Sequence, residues 1–403
     1  MKTVARRITQ TTNRNFKQDP DIVHVAEFLM NRFCLVTFKK NIMRQDTPQA
    51  HLFSIDDSLL YQGFFVDFGP LNLGLIYRYC LMVASKLNSK ELSQKMIIHY
   101  TWMDPRKRAN AGLLAATFAV LYLGLTPKKA WDILRIQKGN YEMSLSKIGY
   151  LPFRDAQPFT NKETIENTIS IYDCLKAMDC AVVNNFVDFS DFLLGHYEAF
   201  QINGYSLLNW IVPSKLLALC NPSKESLSPL NINRLIRYFL HYNVGVVVRL
   251  NEATYSALRF TDVGIKHVDL YFDDGTVPPY EILCDFLNLV ENSKQAVAVH
   301  CRAGLGRTGS LIAAYLMKHY RLTTKEAVAW LRICRPGSVI SHQQAWLDAM
   351  QSQLWESGNI YRMNHSGLQE RLTKHKLGIY SKNQIKVKKS SYLIKRKDSR
   401  RNS

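Results

Sequence analysis

No stretch of this chain is both long and apolar enough to cross a bilayer. The most apolar early segment, Ile22 to Phe38, is broken by His24, Glu27 and Arg32, and Arg6 and Arg7 are followed by no apolar core, so neither a membrane span nor a secretory leader is expected. Clustered cysteines are missing too. Eight lie scattered at positions 34, 80, 174, 180, 220, 284, 301 and 334, with neither metal-ligand spacing nor a short disulfide framework, which points to a reducing compartment. Negative charge is scarce: 33 acidic residues face 52 basic ones, leaving a formal charge of +19 that suits partners or substrates carrying negative charge.

What is present is ample core material. With 403 residues, 47% hydrophobic and 11% aromatic, the chain exceeds the size at which a single core keeps growing, so two globular units are expected. The most informative segment is His300-Cys301-Arg302-Ala303-Gly304-Leu305-Gly306-Arg307-Thr308-Gly309. The apolar run 296–299 before it reads as a buried strand, and residues 310–320 after it read as a largely buried helix. The loop therefore sits on a helix N-terminus, where unpaired N–H groups converge and favour an anion.

That field, with Arg307 close by, is expected to favour the thiolate of Cys301, the reactive form of the side chain. The planar guanidinium of Arg307 can bind two oxygens of a phosphoryl group held in line with the sulfur. Thr308 can donate its hydroxyl to the sulfur and improve it as a leaving group. A buried structural cysteine is the alternative, but it does not account for His300, three glycines and Thr308 together.

Expulsion of an alkoxide needs a proton donor, so an acid must come from elsewhere in the chain. Phe272-Asp273-Asp274-Gly275-Thr276-Val277-Pro278 has the Gly and Pro of a hinged loop after a strand-like stretch, and a helix over 281–292 returns the chain to the sheet. Asp274 is the expected acid; Asp273 reads as a turn residue. Gln343 or Gln344, after Cys334-Arg335-Pro336-Gly337, could position a water, although a Gln pair is also an ordinary solvated helix start.

The spacing recurs. His99-Tyr100 and Arg106 repeat the His-Cys-x5-Arg arrangement with tyrosine in place of cysteine, and Thr126-Pro127 and Thr323-Thr324 with Glu326 then mark a second helix start in each copy. Two tandem α/β domains follow, the first without a nucleophile and kept for packing and substrate contact. The expected limits are 1–44 for an N-terminal extension, 45–186 for the degenerate domain, 187–199 for a linker helix and 200–358 for the catalytic domain. Asn209 to Pro213 opens the latter and Val244 to Val248 supplies a central strand. Residues 359–403 form an expected disordered basic tail, in which 381–403 carries nine basic residues against Asp398 alone. Lys395-Arg396-Lys397 reads as a nuclear address or a site for an acidic partner; a plain solvating tail is the alternative.

On these residues the chain resembles the cell-division-cycle-fourteen protein phosphatases, dual-specificity members of the cysteine-based protein-tyrosine-phosphatase superfamily. The likeness covers the loop 299–309, the stretch 259–278 and Trp330 to Ile340. It also includes Val66 to Leu73, Tyr77 to Cys80, His99-Tyr100-Thr101, Arg106 to Ala111 and Tyr150 to Asp155. The resemblance implies two phosphatase-like domains, each a mostly parallel sheet flanked by helices. It implies Cys301 as nucleophile, Arg307 as phosphate clamp, Asp274 as acid, Thr308 beside the sulfur and Gln343 as the water-positioning residue. The phosphate then lies on residues Arg302, Ala303, Gly304, Leu305, Gly306 and Arg307. It further implies a metal-independent enzyme without cofactor that reverses cyclin-dependent-kinase phosphorylation at Ser-Pro and Thr-Pro sites around mitotic exit, in nucleus and cytoplasm, with nucleolus, centrosome and spindle pole as further places. Two departures stand out. Ile202 and Tyr205 flank the Asn-Gly pair where acidic residues are usual in the family, and Ser341-His342 replace its Gly-Pro. A phosphoinositide phosphatase and a silent phosphoprotein-binding scaffold remain as alternatives. Leu305, where the former has lysines, and the retained Cys301, Arg307, Thr308 and Asp274 count against them.

Overall fold

The computed structural model describes residues 19–61, 63, 67–135, 149–154, 168–202, 205–222, 232–366 and 374–383. The chain divides into two compact units, the first ending at Asp179 and the second running mainly from Cys180 onward.

In the first unit, β1 (Ile22–Leu29) pairs antiparallel with β2 (Phe33–Phe38). Then follow β3 (Ala50–Phe53), α1 (Leu73–Asn88), β4 (Met96–Trp102), α2 (Pro105–Leu123), α3 (Pro127–Arg135) and α4 (Ile171–Val183). The sheet order is β1-β2-β4-β3, with β4 parallel to both neighbours. The expected N-terminal extension is thus corrected: residues 22–38 supply two of the four strands, because Ile22, Phe33, Leu35, Val36 and Phe38 bury their apolar surface in this sheet. Local signals set the helix starts. Asn72 caps α1 by accepting from Leu75 N at 3.0 Å, and Thr126 Oγ1 accepts from Lys129 N at 3.2 Å before α3.

The second unit opens with α5 (Leu194–Glu198), a two-stranded ribbon of β5 (Gln201–Ile202) and β6 (Tyr205–Ser206), β7 (Leu208–Val212) and β8 (Leu216–Leu219). It continues with α6 (Ile232–His241), β9 (Val244–Arg249), α7 (Leu258–Thr261), β10 (Lys266–Asp269), α8 (Tyr280–Asn292), β11 (Ala296–His300), α9 (Gly306–Tyr320), α10 (Thr324–Cys334) and α11 (Ser341–Ser366). The five strands are ordered β10-β9-β11-β8-β7; all neighbours run parallel except β7 against β8. The run at 244–248 forms the buried interior strand β9, as expected, and β11 beside it is the middle strand. Every residue of β11 is buried, and so is the face-to-face wall of α9 from Arg307 to Lys318, so strand and helix form the hub of this unit. Burial of Leu311, Ile312, Leu316 and Met317 stabilises that hub by roughly 1.5–3 kcal/mol per side chain. The capping box expected at Thr323 and Glu326 is formed in both directions.

Two boundaries change. The expected linker helix over 187–199 is helical only from Leu194 to Glu198; Asp188 spends its carboxylate on a turn, accepting from Ser190 N and Oγ. The segment expected to be a disordered tail from 359 onward instead begins as α11, which reaches Ser366, and residues 374–383 fold against the second unit. Ile379 and Tyr380 are buried there: Ile379 N donates to Phe186 O at 2.7 Å, and Tyr380 Oη accepts from Trp210 N at 3.0 Å. Hydrogen bonds fasten the same segment at both ends, from His375 N to Asn184 O at 3.0 Å and from Lys382 N to Asp191 O at 2.8 Å. Lys395-Arg396-Lys397 and the Asn203-Gly204 pair lie outside the described residues. No described helix is long and apolar enough to span a membrane, and no metal-holding group of His, Cys, Asp and Glu occurs among the described residues.

Candidate active site

β11 delivers His300 and Cys301 to the C-terminal edge of the sheet, and α9 starts at Gly306, leaving residues 301–305 as the connecting loop. Each carbonyl of that loop is drawn outward by a named donor. The Cys301 carbonyl accepts from His300 Nδ1 at 3.1 Å and that of Arg302 from Asn221 N at 3.0 Å. The carbonyls of Ala303 and Gly304 accept from Arg335 Nη2 and Nε at 2.9 and 2.7 Å. Leu305 O accepts from Gly309 N at 2.9 Å. Since N–H and C=O of one planar peptide point in opposite directions, anchoring the carbonyls outside turns the amides of 302–306 toward the concave side. Gly304 is required: its φ is +69°, and a β-carbon there would come within 2.0 Å of Leu219 O.

His300 is fully buried and its imidazole is pushed down to about 3, chiefly by loss of solvation, so it is neutral. The hydrogen-bond network assigns the tautomer: Nδ1–H donates to Cys301 O, and Nε2 accepts from Tyr255 Oη at 2.6 Å. Tyr255 also meets His267 Nε2 at 2.9 Å, and its carbonyl accepts from Arg249 Nη1 at 2.7 Å. Arg249 is itself fixed by a two-pronged pair with Asp269 at 2.7 and 2.9 Å. A chain of four side chains behind the strand thus sets the peptide that carries Cys301.

Arg307 and Asp274 meet. Arg307 is buried, its Nη1 donates to Phe272 O at 2.9 Å and Leu250 O at 3.3 Å, and its Nη2 lies 3.1 Å from Asp274 Oδ1. Its Nε and the hydroxyl of Thr308 are both buried with no hydrogen-bond partner among the described residues, as polar groups reserved for the sulfur or an anion would be. The Asp274 side chain is 65% exposed at the mouth. Asp273 faces elsewhere, accepting from Tyr271 Oη at 2.7 Å, so the two neighbouring aspartates are told apart by position. Gln343 is buried between the acid loop and the phosphate loop: Nε2 donates to Thr276 O at 3.1 Å, Oε1 accepts from Ile340 N at 3.2 Å, and both lie 3.1 Å from where Gly306 would carry a β-carbon. Gln344 is buried as well, with neither amide atom hydrogen-bonded among the described residues.

Cys301, Arg307, Thr308, Asp274 and Gln343 therefore surround one loop, with Arg302, Ala303, Gly304, Leu305 and Gly306 as its wall. Chemically the group offers a buried sulfur, a forked cation and a carboxyl group able to reach a leaving oxygen. Sequence reasoning had no role for Arg335, Arg249, Asp269 or Tyr255. The only available signal for Arg335 was its place in the quoted Cys334-Arg-Pro-Gly stretch. It is fully buried and also donates to Asn209 Oδ1 and Ser206 O at 2.8 and 2.6 Å.

Residues 27–181 match the family described as dual specificity protein phosphatase, N-terminal half, and residues 228–321 match one described as polymorphic toxin system, DSP-PTPase phosphatase. The chain is 44% identical over 347 residues to human dual specificity protein phosphatase CDC14A, covering 85% of this chain and 56% of that protein. It is 43% identical to mouse CDC14B over 82% of this chain and 68% of the relative, and 40% identical to human CDC14C over 89% and 77%. The chain thus spans little more than half the length of CDC14A. Identity at this level, running through both units, is what the two strand–loop–helix hubs would lead one to expect, and the chain belongs to the CDC14 family of dual-specificity phosphatases.

Proposed function

We propose that this chain removes phosphate from phosphorylated proteins, at Ser-Pro and Thr-Pro sites and at tyrosine, through a phosphocysteine at residue 301. The sulfur attacks phosphorus as the thiolate, and the P–O bond to the substrate breaks as the S–P bond forms. Arg307 and the loop amides hold the three equatorial oxygens, whose charge they stabilise in the transition state. Asp274 gives its proton to the departing serine, threonine or tyrosine oxygen. Gln343 then orients a water whose oxygen bonds phosphorus as Asp274 takes its proton, and the S–P bond breaks with Thr308 donating to the leaving sulfur. Every electron pair is accounted for by these groups and water.

One observation carries the reading: Arg307 stands 3.1 Å from Asp274 beside a loop whose carbonyls are all anchored outward. A role in cell-cycle control and a place in nucleus and cytoplasm, with the basic tail as import signal, accord with the family and are part of the same proposal. The deciding experiment is rapid acid quench of the chain with a phosphoserine-proline peptide, followed by mass spectrometry. A phosphoryl group on the peptide that contains Cys301 is the expected result. A phosphoryl group on another side chain, or faster turnover of phosphoinositide than of phosphopeptide, would overturn the proposal.

A further inference from the structure

The loop that carries the acid is fastened to the site at four successive points. Phe272 O accepts from Arg307 Nη1, Asp274 Oδ1 pairs with Arg307 Nη2, Thr276 O accepts from Gln343 Nε2, and Gly275 O accepts from His342 Nε2. Gly275 has φ +77°, so the chain reverses there and presents its carbonyl toward the start of α11. Arg307 and Gln343 have parts in the reaction itself. His342 has none: it is exposed, and its imidazole donates to the turn.

We propose that His342 is a positioning residue that latches the acid loop closed, acting on catalysis only through Asp274. The physical argument is one of leverage. Asp274 is largely exposed and its own loop holds it by a single backbone amide, Gly275 N at 3.1 Å. A bond to the very next carbonyl therefore limits how far the carboxyl group can swing from the leaving oxygen.

The inference rests on the proposed phosphatase activity, and its test has one arm that does not. In His342→Ala, amide hydrogen exchange at Gly275 and Thr276 should quicken while the melting temperature stays the same; unchanged exchange would overturn the latch whatever the enzyme does. In kinetics, His342→Ala should lower kcat on a phosphoserine-proline peptide about tenfold with KM unaltered, and leave an aryl phosphate, whose leaving group needs little protonation, within about twofold. His342→Gln, which keeps an amide donor, should recover most of the loss. In an Asp274→Asn background the His342→Ala change should have no further effect. Equal losses on both substrates, or a loss that persists without the Asp274 carboxyl, would assign His342 a general structural role instead. If Cys301→Ser retains full turnover, the phosphocysteine reading fails separately from the latch.

Discussion

The two units carry the same frame, a buried strand running into a buried helix with histidine and arginine at matching spacing, yet only one frame forms an anion cradle. In the second unit β11 stops at His300 and five residues intervene before α9. In the first, β4 keeps its ladder through Trp102, paired with Phe38, and α2 begins at Pro105. Two residues remain for the turn. One of them, Asp104, turns its carboxylate onto the helix, accepting from Arg106 N at 2.9 Å and Lys107 N at 2.8 Å. The amides that would bind a phosphate are answered by a side-chain anion of the chain itself. Arg106 is exposed and lies over the Phe68 ring at 5.6 Å, whereas Arg307 is buried in the site. Tyr100, standing where Cys301 stands, packs between Phe38 and Trp102 and accepts from Arg44 N. The lesson is that strand length and cap, more than the missing thiol alone, separate the open loop of the second unit from the packed turn of the first.

Substitutions at paired positions sharpen the comparison. Cys301→Ser should lower kcat on phosphopeptides by at least about 10⁴-fold, since no other group in the site can form the covalent intermediate; Tyr100→Phe should leave it unchanged. Arg307→Lys should cost about 10²–10³-fold, because a point charge cannot grip two oxygens, while Arg106→Lys stays within about twofold on its exposed surface. A large loss from Arg106→Lys would break the assignment of the first unit as catalytically silent. Asp274→Asn should slow phosphoserine peptides by about 10²-fold and aryl phosphates far less; Asp104→Asn should spare both reactions. Arg335→Lys should weaken inhibition by inorganic phosphate, because two carbonyls of the loop lose their fork-shaped anchor.

The two strand histidines, His99 within β4 and His300 at the end of β11, behave alike, and that likeness can be tested through stability. His99 and His300 are both buried and both pushed down to about 3 by lost solvation, from an ordinary 6.5. Protons therefore bind the unfolded chain first. Each histidine's contribution is complete above pH 6.5 and is lost as pH falls from there toward 3, by about 1.4 kcal/mol per pH unit. Replacing either by asparagine should flatten the acid limb of urea-melting curves by one such increment, measured between pH 7 and pH 5. An unaltered slope would show that the imidazole is not held neutral. The smallest effect is expected from Tyr100→Cys: no phosphatase activity should appear in a chain already carrying Cys301→Ser. Any turnover there would sink the argument from strand length and cap.

Much of the second unit was legible in the chain. The apolar run ending at His300, the glycines after it and the amphipathic stretch over 281–292 gave strand, loop and helix within a residue or a few, because each depends on neighbours along the backbone. Choosing Asp274 over Asp273 drew on spacing and resemblance, and the geometry separates the pair cleanly through Tyr271 and Arg307. The first strands were hidden because His24, Glu27 and Arg32 interrupt the apolar run from Ile22 to Phe38, although β2 is buried throughout and β1 at most of its positions. The docking of 374–383 was hidden beneath nine nearby basic residues; burial of Ile379 and Tyr380 outweighs that local polarity.

By itself the sequence determined everything whose cause lies within about one helical turn: the caps at Asn72, Thr126 and Thr323, the glycine turn at 304 and the placing of Cys301 at a helix mouth. Only the tertiary structure decided what meets that mouth. Arg335 reaches back 31 and 32 residues to the loop carbonyls, Arg307 finds the Asp274 carboxyl, and Arg249 and Asp269 pair across 20 residues to steady His300 through Tyr255. Such partners are polar residues of common type whose role depends on a sheet bringing distant segments side by side. Their meaning therefore lies in register and packing, which no local pattern encodes.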